Sequence, residues 1–369
     1  MMKIVADENI PFARDLFSSL GELHLLPERM MQADDVRDAD VLLVRSVTNV
    51  SQELLQGSSV KFVGTCTIGI DHLDTTFLDQ NGIAYASAPG CNAFAVAQYV
   101  LAALATINRL QASQKAVVVG GGNVGSRVYR HLETLGFSCG CVDPFLSPNN
   151  GLTLVDFDAI YDADIVCMHT PLTISGPHPT FHMFDEAVLQ KLKPNAVLLN
   201  AGRGAVIDNA ALLSVLTHRP DLTVVLDVWE NEPDIDIALL HSVALGTPHI
   251  AGYSFEGRIN GSFMIYQALC EFLGHDAEDI AQQIHFVRTK AFGEPLPVCV
   301  KSLHAAILNS YLLSEDHKAL LEVAGELPSA FDRLRKYYPQ RREFSHFHLY
   351  NVPNDLAPTL KKLGFCLDE

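Results

Sequence analysis

Arg203, Glu232 and His249 each sit in a short run of small, apolar and turn-forming residues: NAGRGAVID from Asn200 to Asp208, LDVWENEP from Leu226 to Pro233, and GTPHIAGYS from Gly246 to Ser254. Together these residue types suit oxidation of a 2-hydroxyacid, which needs a cation for the carboxylate, a base for the hydroxyl proton and a group that orients the base. Arginine presents a planar fork that matches a carboxylate, and histidine titrates near neutral pH. Each residue also has an ordinary use. Arg203 could make a surface salt bridge, Asp227 and Glu232 flank Trp229 and could cap a turn or helix, and a histidine between Thr-Pro and Ile-Ala-Gly is more often structural. Spacing alone leaves Glu232 evenly balanced between the two.

A second constellation lies upstream. GGGNVG places Gly120, Gly122 and Gly125 in GxGxxG spacing, with Asn123 and Val124 between them, directly after the strand-like AVVV and before the helical run SRVYRHLETLG. The first glycine permits a tight turn, the second lets the backbone approach a pyrophosphate, and the third lets helix and strand pack closely. Asp143 ends the next strand, where a carboxylate would accept hydrogen bonds from the adenosine ribose and repel a 2′-phosphate, so NAD is favoured over NADP. His169, His178 and His182 suggest a metal, but Pro177 and Pro179 break the helical geometry that would align 178 with 182, and no carboxylate or cysteine is spaced to join them. No metal is expected. Cys66, Cys91 and Cys167 read as small buried hydrophobes rather than nucleophiles.

These residues need elements to position them. One βα block runs from KIVADENI through DVLLVRSVT and VKFVGTCTIGIDHLD to IAYASAPG; a second opens at AVVVGGGNVG and includes CGCVDPF, ADIVCMHTPL, AVLLNAGRG and TVVLDVW. Strands this rich in Val, Ile and Leu are buried on both faces, which predicts two doubly wound parallel-sheet α/β domains. Arg203 then falls at the carboxyl end of a parallel strand, where such sheets bind ligands. Beyond about Gly274 strands thin out, and the polar, Arg- and Tyr-rich FDRLRKYYPQRREFS suggests a third module whose composition names no chemistry.

The whole-chain properties set limits. A chain of 369 residues, 48% hydrophobic and 19% charged, has room for two or three ordinary globular domains. Its net charge of -17 argues against nucleic-acid or anionic-membrane binding, which rely on clustered Lys and Arg. The amino terminus lacks a signal-peptide pattern, and the most apolar stretch, 93–107, contains Gln98 and is too short to span a bilayer, so it reads as a buried helix. Eight cysteines without a CxxC pair suit reduced thiols, and a cytoplasmic location is expected.

The glycine fingerprint, the HTPLT at His169 to Thr173 and the three runs carrying Arg203, Glu232 and His249 resemble the D-isomer-specific 2-hydroxyacid dehydrogenases. Gly202 departs from the family's usual Ala, Ser or Cys before the arginine, with a small packing effect expected. The resemblance implies a substrate domain (1–93 plus 255–285), an inserted NAD domain (94–254) and an active site in the cleft between them. The segments DENIPFARDLF, VRSVT, GTCTIGIDHLD, APGCNAFAV, HIAGYSFEGR, FDRLRKYY and RREFS are similar to one branch of that family, which acts on a phosphorylated hydroxyacid and carries a carboxyl-terminal α+β dimerisation domain, here 286–369. It further implies that Arg203 binds the carboxylate, His249 exchanges the proton and Glu232 orients it. Ser46, Thr67 and Tyr253 match substrate-binding positions, and Asp143, Thr170, Asp227 and Gly252 match NAD-binding ones. Gln98 stands where the family more often has glutamate. A homodimer follows from the same resemblance, with Arg341, Arg342 or Arg45 as candidates for the substrate phosphate. Two readings stay open beside it: a phosphoglycerate-type dehydrogenase, and an NAD-sensing corepressor-like binding protein.

Overall fold

A computed structural model describes residues 1–27 and 31–368. The chain forms two units, Met1–Asn92 with Ser254–Glu294, and Ala93–Tyr253 with Pro295–Glu369. In the first, five parallel strands, β1 (Lys3–Asp7), β2 (Glu22–Leu26), β3 (Val41–Val44), β4 (Phe62–Thr65) and β5 (Ala84–Ala86), lie in the order β2-β1-β3-β4-β5. Every residue of β3 and β4 is buried, as parallel strands covered on both faces require. The helix Phe255–Leu273 starts at Ser254, whose hydroxyl accepts from the Gly257 amide at 2.8 Å, and stops at Gly274 with φ +79°. It lies so close to β4 that a Cβ on Gly64 would come within 2.5 Å of Ile265. Glycine there lets the returning segment rejoin the amino-terminal sheet.

The second unit holds six parallel strands, β6 (Lys115–Val119), β7 (Ser138–Val142), β8 (Ile165–Met168), β9 (Val197–Asn200), β10 (Thr223–Leu226) and β11 (Leu245–Gly246), in the order β11-β10-β9-β8-β6-β7. The winding direction reverses between β6 and β8, and ligands of open α/β sheets bind in the crevice outside the carboxyl ends of such a pair. The turns that follow these strands carry Gly120 and Thr170. Helix Ala93–Thr106 is buried from Ala95 to Ala105. Among the described residues no helix is long and apolar enough to cross a membrane.

The carboxyl-terminal segment adds a small parallel sheet, β12 (Leu296–Cys299), β13 (Phe347–Tyr350) and β14 (Cys366–Leu367), and is built onto the second unit. Ile307, Leu313, Phe344 and Leu360 share one core with Leu104, Tyr129 and Leu132. Leu320 and Phe331 join a second core with Val166, Leu198 and Leu226. The run that reads as polar in sequence thus contributes buried Phe331, Arg341 and Phe344.

Candidate active site

The turn after β6 has the shape a dinucleotide needs. Gly120 takes φ +91°, a conformation open to glycine at little cost, and a Cβ on Gly125 would lie 1.7 Å from the Gly120 carbonyl oxygen. Gly122 has nothing among the described residues within 4 Å of where its Cβ would be. It caps the helix Asn123–Thr134, so Asn123 and Val124 form the first turn. From the turn after β8, the Thr170 hydroxyl is buried with no hydrogen-bond partner among the described residues. An unpaired polar group at a switch-point crevice, beside a backbone open to close approach, fits a phosphate- and ribose-bearing cofactor. Both His169 nitrogens are likewise unpaired and buried, and burial pushes the imidazole down to about 3, so it stays neutral.

Asp143 follows β7. Its Oδ2 accepts from the Gly121 amide at 2.9 Å and its Oδ1 from the Phe145 amide at 3.0 Å. The carboxylate therefore also braces the glycine turn. Asp143→Ala is expected to weaken NAD binding about 10- to 100-fold, the scale of a lost charged hydrogen bond, and to narrow the preference over NADP, with little change in substrate KM. Cofactor titrations of the variant check this; equal losses for NAD and NADP would remove the ribose role.

Arg203 stands three residues beyond the end of β9 in a loop fastened at both sides. Asn200 Oδ1 accepts from the Gly202 amide at 3.0 Å, its Nδ2 donates to the Arg203 carbonyl at 2.9 Å, and Arg203 Nη1 donates to the Gly202 carbonyl at 2.9 Å. A Cβ on Gly204 would fall 1.9 Å from the Trp229 carbonyl oxygen, so this loop rides directly on the loop that carries Glu232. At Gly202 a Cβ would meet the Thr170 carbonyl oxygen at 3.0 Å and His169 Cα at 3.2 Å. The departure at Gly202 thus falls where two ligand-side loops touch, a tighter spot than a small packing effect suggests.

Glu232 and His249 are joined. His249 Nδ1 lies 2.7 Å from Glu232 Oε2, while Glu232 Oε1 accepts from the Trp229 amide at 2.8 Å. A carboxylate only accepts, so Nδ1 carries the hydrogen and Nε2 is left as the basic nitrogen. Burial works to raise the Glu232 carboxyl, but the His249 charge, its hydrogen bond, the Trp229 amide and the Arg335 charge together hold it below the usual range. His249 itself takes φ +57°, left-handed backbone that a non-glycine residue keeps only when its surroundings impose it. Asp227 imposes it: its buried carboxylate accepts from Thr247 Oγ1 at 2.6 Å and from the amides of Ile250 at 2.7 Å and Ala251 at 2.9 Å, and its carbonyl accepts from the His249 amide at 2.8 Å. Desolvation raises the Asp227 carboxyl against these donors. Spacing alone does not reveal this hub, because its partners lie a strand and a loop away.

Gly252 and Tyr253 follow in the same loop, closed by the Tyr253 amide donating to the Ile250 carbonyl at 2.8 Å. Ser46 is exposed in the turn after β3, beside Arg45, and Thr67 lies just past β4, its hydroxyl 2.7 Å from that of Thr65. Both belong to the first unit. Arg341 is not available to a ligand: it is buried, donates to the carbonyls of Ala251 and Ala95, and sits 4.4 Å over the Tyr311 ring. Arg342 Nη1 meets His346 Nε2 at 3.0 Å and its carbonyl accepts from Gln98. His182 does have carboxylate partners, contrary to the spacing argument: Nε2 is 2.7 Å from Glu230 and Nδ1 is 3.5 Å from Asp208. The three could hold an ion as a set, yet each ring nitrogen faces a different carboxylate, so the imidazole bridges Glu230 and Asp208. Burial pushes the Cys167 thiol up to about 12 and raises that of Cys66, which keeps both protonated, while Cys91 is half-buried.

Residues 101–251 match the family model for the D-isomer specific 2-hydroxyacid dehydrogenase, NAD binding domain. The erythronate-4-phosphate dehydrogenase of Saccharophagus degradans is 54% identical over 99% of this chain and 99% of its own length. The chain belongs to the erythronate-4-phosphate dehydrogenase family. The enzyme of that name from Teredinibacter turnerae is 50% identical over 100% of this chain and 99% of its own, and one from Escherichia coli is 42% identical over 99% and 98%. In this family member residues 296–364 match a second model, described as a domain of unknown function. The NAD+-bound 3-phosphoglycerate dehydrogenase of Entamoeba histolytica superposes with a TM-score of 0.63 at 21% identity, covering 74% of this chain and 95% of that one, which is a likeness of fold.

Proposed function

We propose that the chain oxidises 4-phospho-D-erythronate to (R)-3-hydroxy-2-oxo-4-phosphobutanoate with NAD, the erythronate-4-phosphate dehydrogenase reaction of pyridoxal 5′-phosphate biosynthesis. The observation that carries this reading is the 2.7 Å Glu232–His249 pair, held beside the Arg203 loop in a chain aligned end to end with enzymes of that name. Arg203 binds the substrate carboxylate and draws electron density from the C2 oxygen. His249 Nε2 accepts the C2 hydroxyl proton, and ionised Glu232 offsets the charge that appears on the ring. Bound NAD supplies the acceptor for the hydride that leaves C2. Gly120, Gly122, Asn123, Val124, Gly125, Asp143, Thr170, Asp227 and Gly252 hold it, and Ser46, Thr67 and Tyr253 contact the substrate.

The assay that tests this follows NADH formation with 4-phospho-D-erythronate and with 3-phosphoglycerate. The four-carbon acid is expected to give the higher kcat/KM; a preference for the three-carbon acid would favour the phosphoglycerate reading, and no turnover with either would favour a binding protein. The full-length relatives weigh against both alternatives. The working division is a substrate domain of 1–93 plus 255–285, an NAD domain of 94–254 and a dimerisation module of 286–369, acting in the cytoplasm as a homodimer. Light scattering is expected to give twice the 40.4 kDa chain mass, and a monomer across micromolar concentrations would defeat the dimer.

A further inference from the structure

We propose that Arg335, in the carboxyl-terminal segment, is a positioning residue of the active centre: its guanidinium holds the Tyr253 side chain and presents a positive charge to the Glu232–His249 pair. This rests on the functional reading above and extends it, since it gives the segment matched only as a domain of unknown function a part in catalysis.

Arg335 lies in the helix Ser329–Lys336, which Phe331 anchors in the core beneath the sheet that carries the site. Its guanidinium sits over the Tyr253 ring, 5.6 Å from the ring centre. A planar cation over an aromatic face is favourable, more so when partly desolvated, and the Arg335 side chain is only 24% exposed. Tyr253 has a second neighbour from the same segment. The Tyr338 ring meets it edge-on at 6.0 Å and 77°, and the Tyr338 and Tyr311 hydroxyls both donate to Asp316, at 2.8 and 2.6 Å. Tyr253, four residues after the catalytic histidine, is therefore packed by two side chains of the carboxyl-terminal segment.

The charges on Arg335 do not cancel within its own helix. Asp332 is 3.9 Å away, at the limit of an ion pair, and the Arg335 Nε is buried with no hydrogen-bond partner among the described residues. Arg335 meets Tyr253 and Asp332 directly and its charge is felt by Glu232, while Asp227 flanks the pair through its carbonyl, which accepts from the His249 amide at 2.8 Å. Burial would lower the Arg335 group, but Tyr253, Glu232 and Asp332 outweigh it and keep the guanidinium charged. That charge favours ionised Glu232 and opposes a second proton on the pair. Removing it should let the pair keep its proton to higher pH.

The test compares the full-length protein with Arg335→Met, Arg335→Gln and Arg335→Lys. In Arg335→Met, kcat for 4-phospho-D-erythronate oxidation should fall about 10-fold, and its rising limb should move up by about half a pH unit, the scale of one partly screened charge beyond hydrogen-bond range. KM for NAD should change less than kcat, since Arg335 meets Tyr253 and not the Gly120 turn that Asp143 braces. Arg335→Lys should restore the limb without full kcat, because an ammonium keeps the charge and loses the guanidinium contact with the Tyr253 ring. A loss of kcat with an unmoved limb would reduce Arg335 to a structural role, and unchanged kinetics would remove it altogether. Should Arg335→Met fail to fold, Arg335→Gln gives the same reading with a polar side chain. An NMR pH titration of the Glu232–His249 pair in ligand-free protein reads the same upward move without turnover. If the substrate assignment fails and the titration still moves, only the functional reading is lost; an unmoved titration overturns the role of Arg335.

Discussion

Arg203→Lys is expected to lower kcat/KM for the hydroxyacid about 100- to 1,000-fold, the range seen when one pre-aligned donor to a transition state is removed. Charge is kept, so a simple electrostatic role would predict a mild effect. The arginine loop is fastened through Asn200 and closed onto the Trp229 carbonyl at Gly204, which fixes the base of the side chain within narrow limits. A lysine ammonium from that base is a single point charge and cannot bind two carboxylate oxygens in one plane. Steady-state kinetics with NAD saturating check the prediction, and turnover within about threefold of the parent would take Arg203 out of the mechanism.

Glu232→Gln should be at least as damaging, with turnover falling about 10³- to 10⁴-fold, the scale known elsewhere for an imidazole held in the wrong tautomer. The argument comes from the two bonds of this carboxylate. Its Oε1 accepts from the Trp229 amide at 2.8 Å, so a glutamine would keep its carbonyl oxygen there and turn its NH2 toward His249 Nδ1. Nδ1 must then accept, the hydrogen moves to Nε2, and the nitrogen meant to take the substrate proton is already occupied. The remaining activity should show its rising limb at lower pH, because the protonated ring has lost its anion. Arg335→Met is expected to shift the limb the opposite way, so the pair of profiles checks the sign of both effects. Thermal unfolding of Glu232→Gln should stay close to the parent, since the Trp229 bond survives.

What could be read from sequence was what depends on neighbours in the chain. Runs such as VLLV at 41–44 and VLLN at 197–200 announce strands buried on both faces, and the parallel sheets follow. The glycine turn is equally local: the φ of +91° at Gly120 and the 1.7 Å approach at Gly125 involve residues within one turn of each other. What escaped depends on distant partners. Asp227 meets Thr247, Ile250 and Ala251, and His182 meets Glu230 and Asp208; no spacing rule links such positions before the sheet is built. The carboxyl-terminal segment misleads through composition. FDRLRKYYPQRREFS looks solvated, yet Arg341 is buried against backbone carbonyls and the Tyr311 ring, and Arg335 reaches Tyr253. Arginine hides such roles because its long stem can enter a core while its head finds partners there.

The central claim is that a hydride leaves C2 of a phosphorylated four-carbon hydroxyacid in a site built from Arg203, Glu232 and His249. The most direct measurement uses 4-phospho-D-erythronate carrying deuterium at C2, with NAD, and reads the reduced nicotinamide product by mass spectrometry. The account predicts one deuterium in the reduced cofactor from the parent protein, and none above background from Glu232→Gln over the same interval. Reduced cofactor without deuterium, or deuterium transfer undiminished in Glu232→Gln, would contradict it.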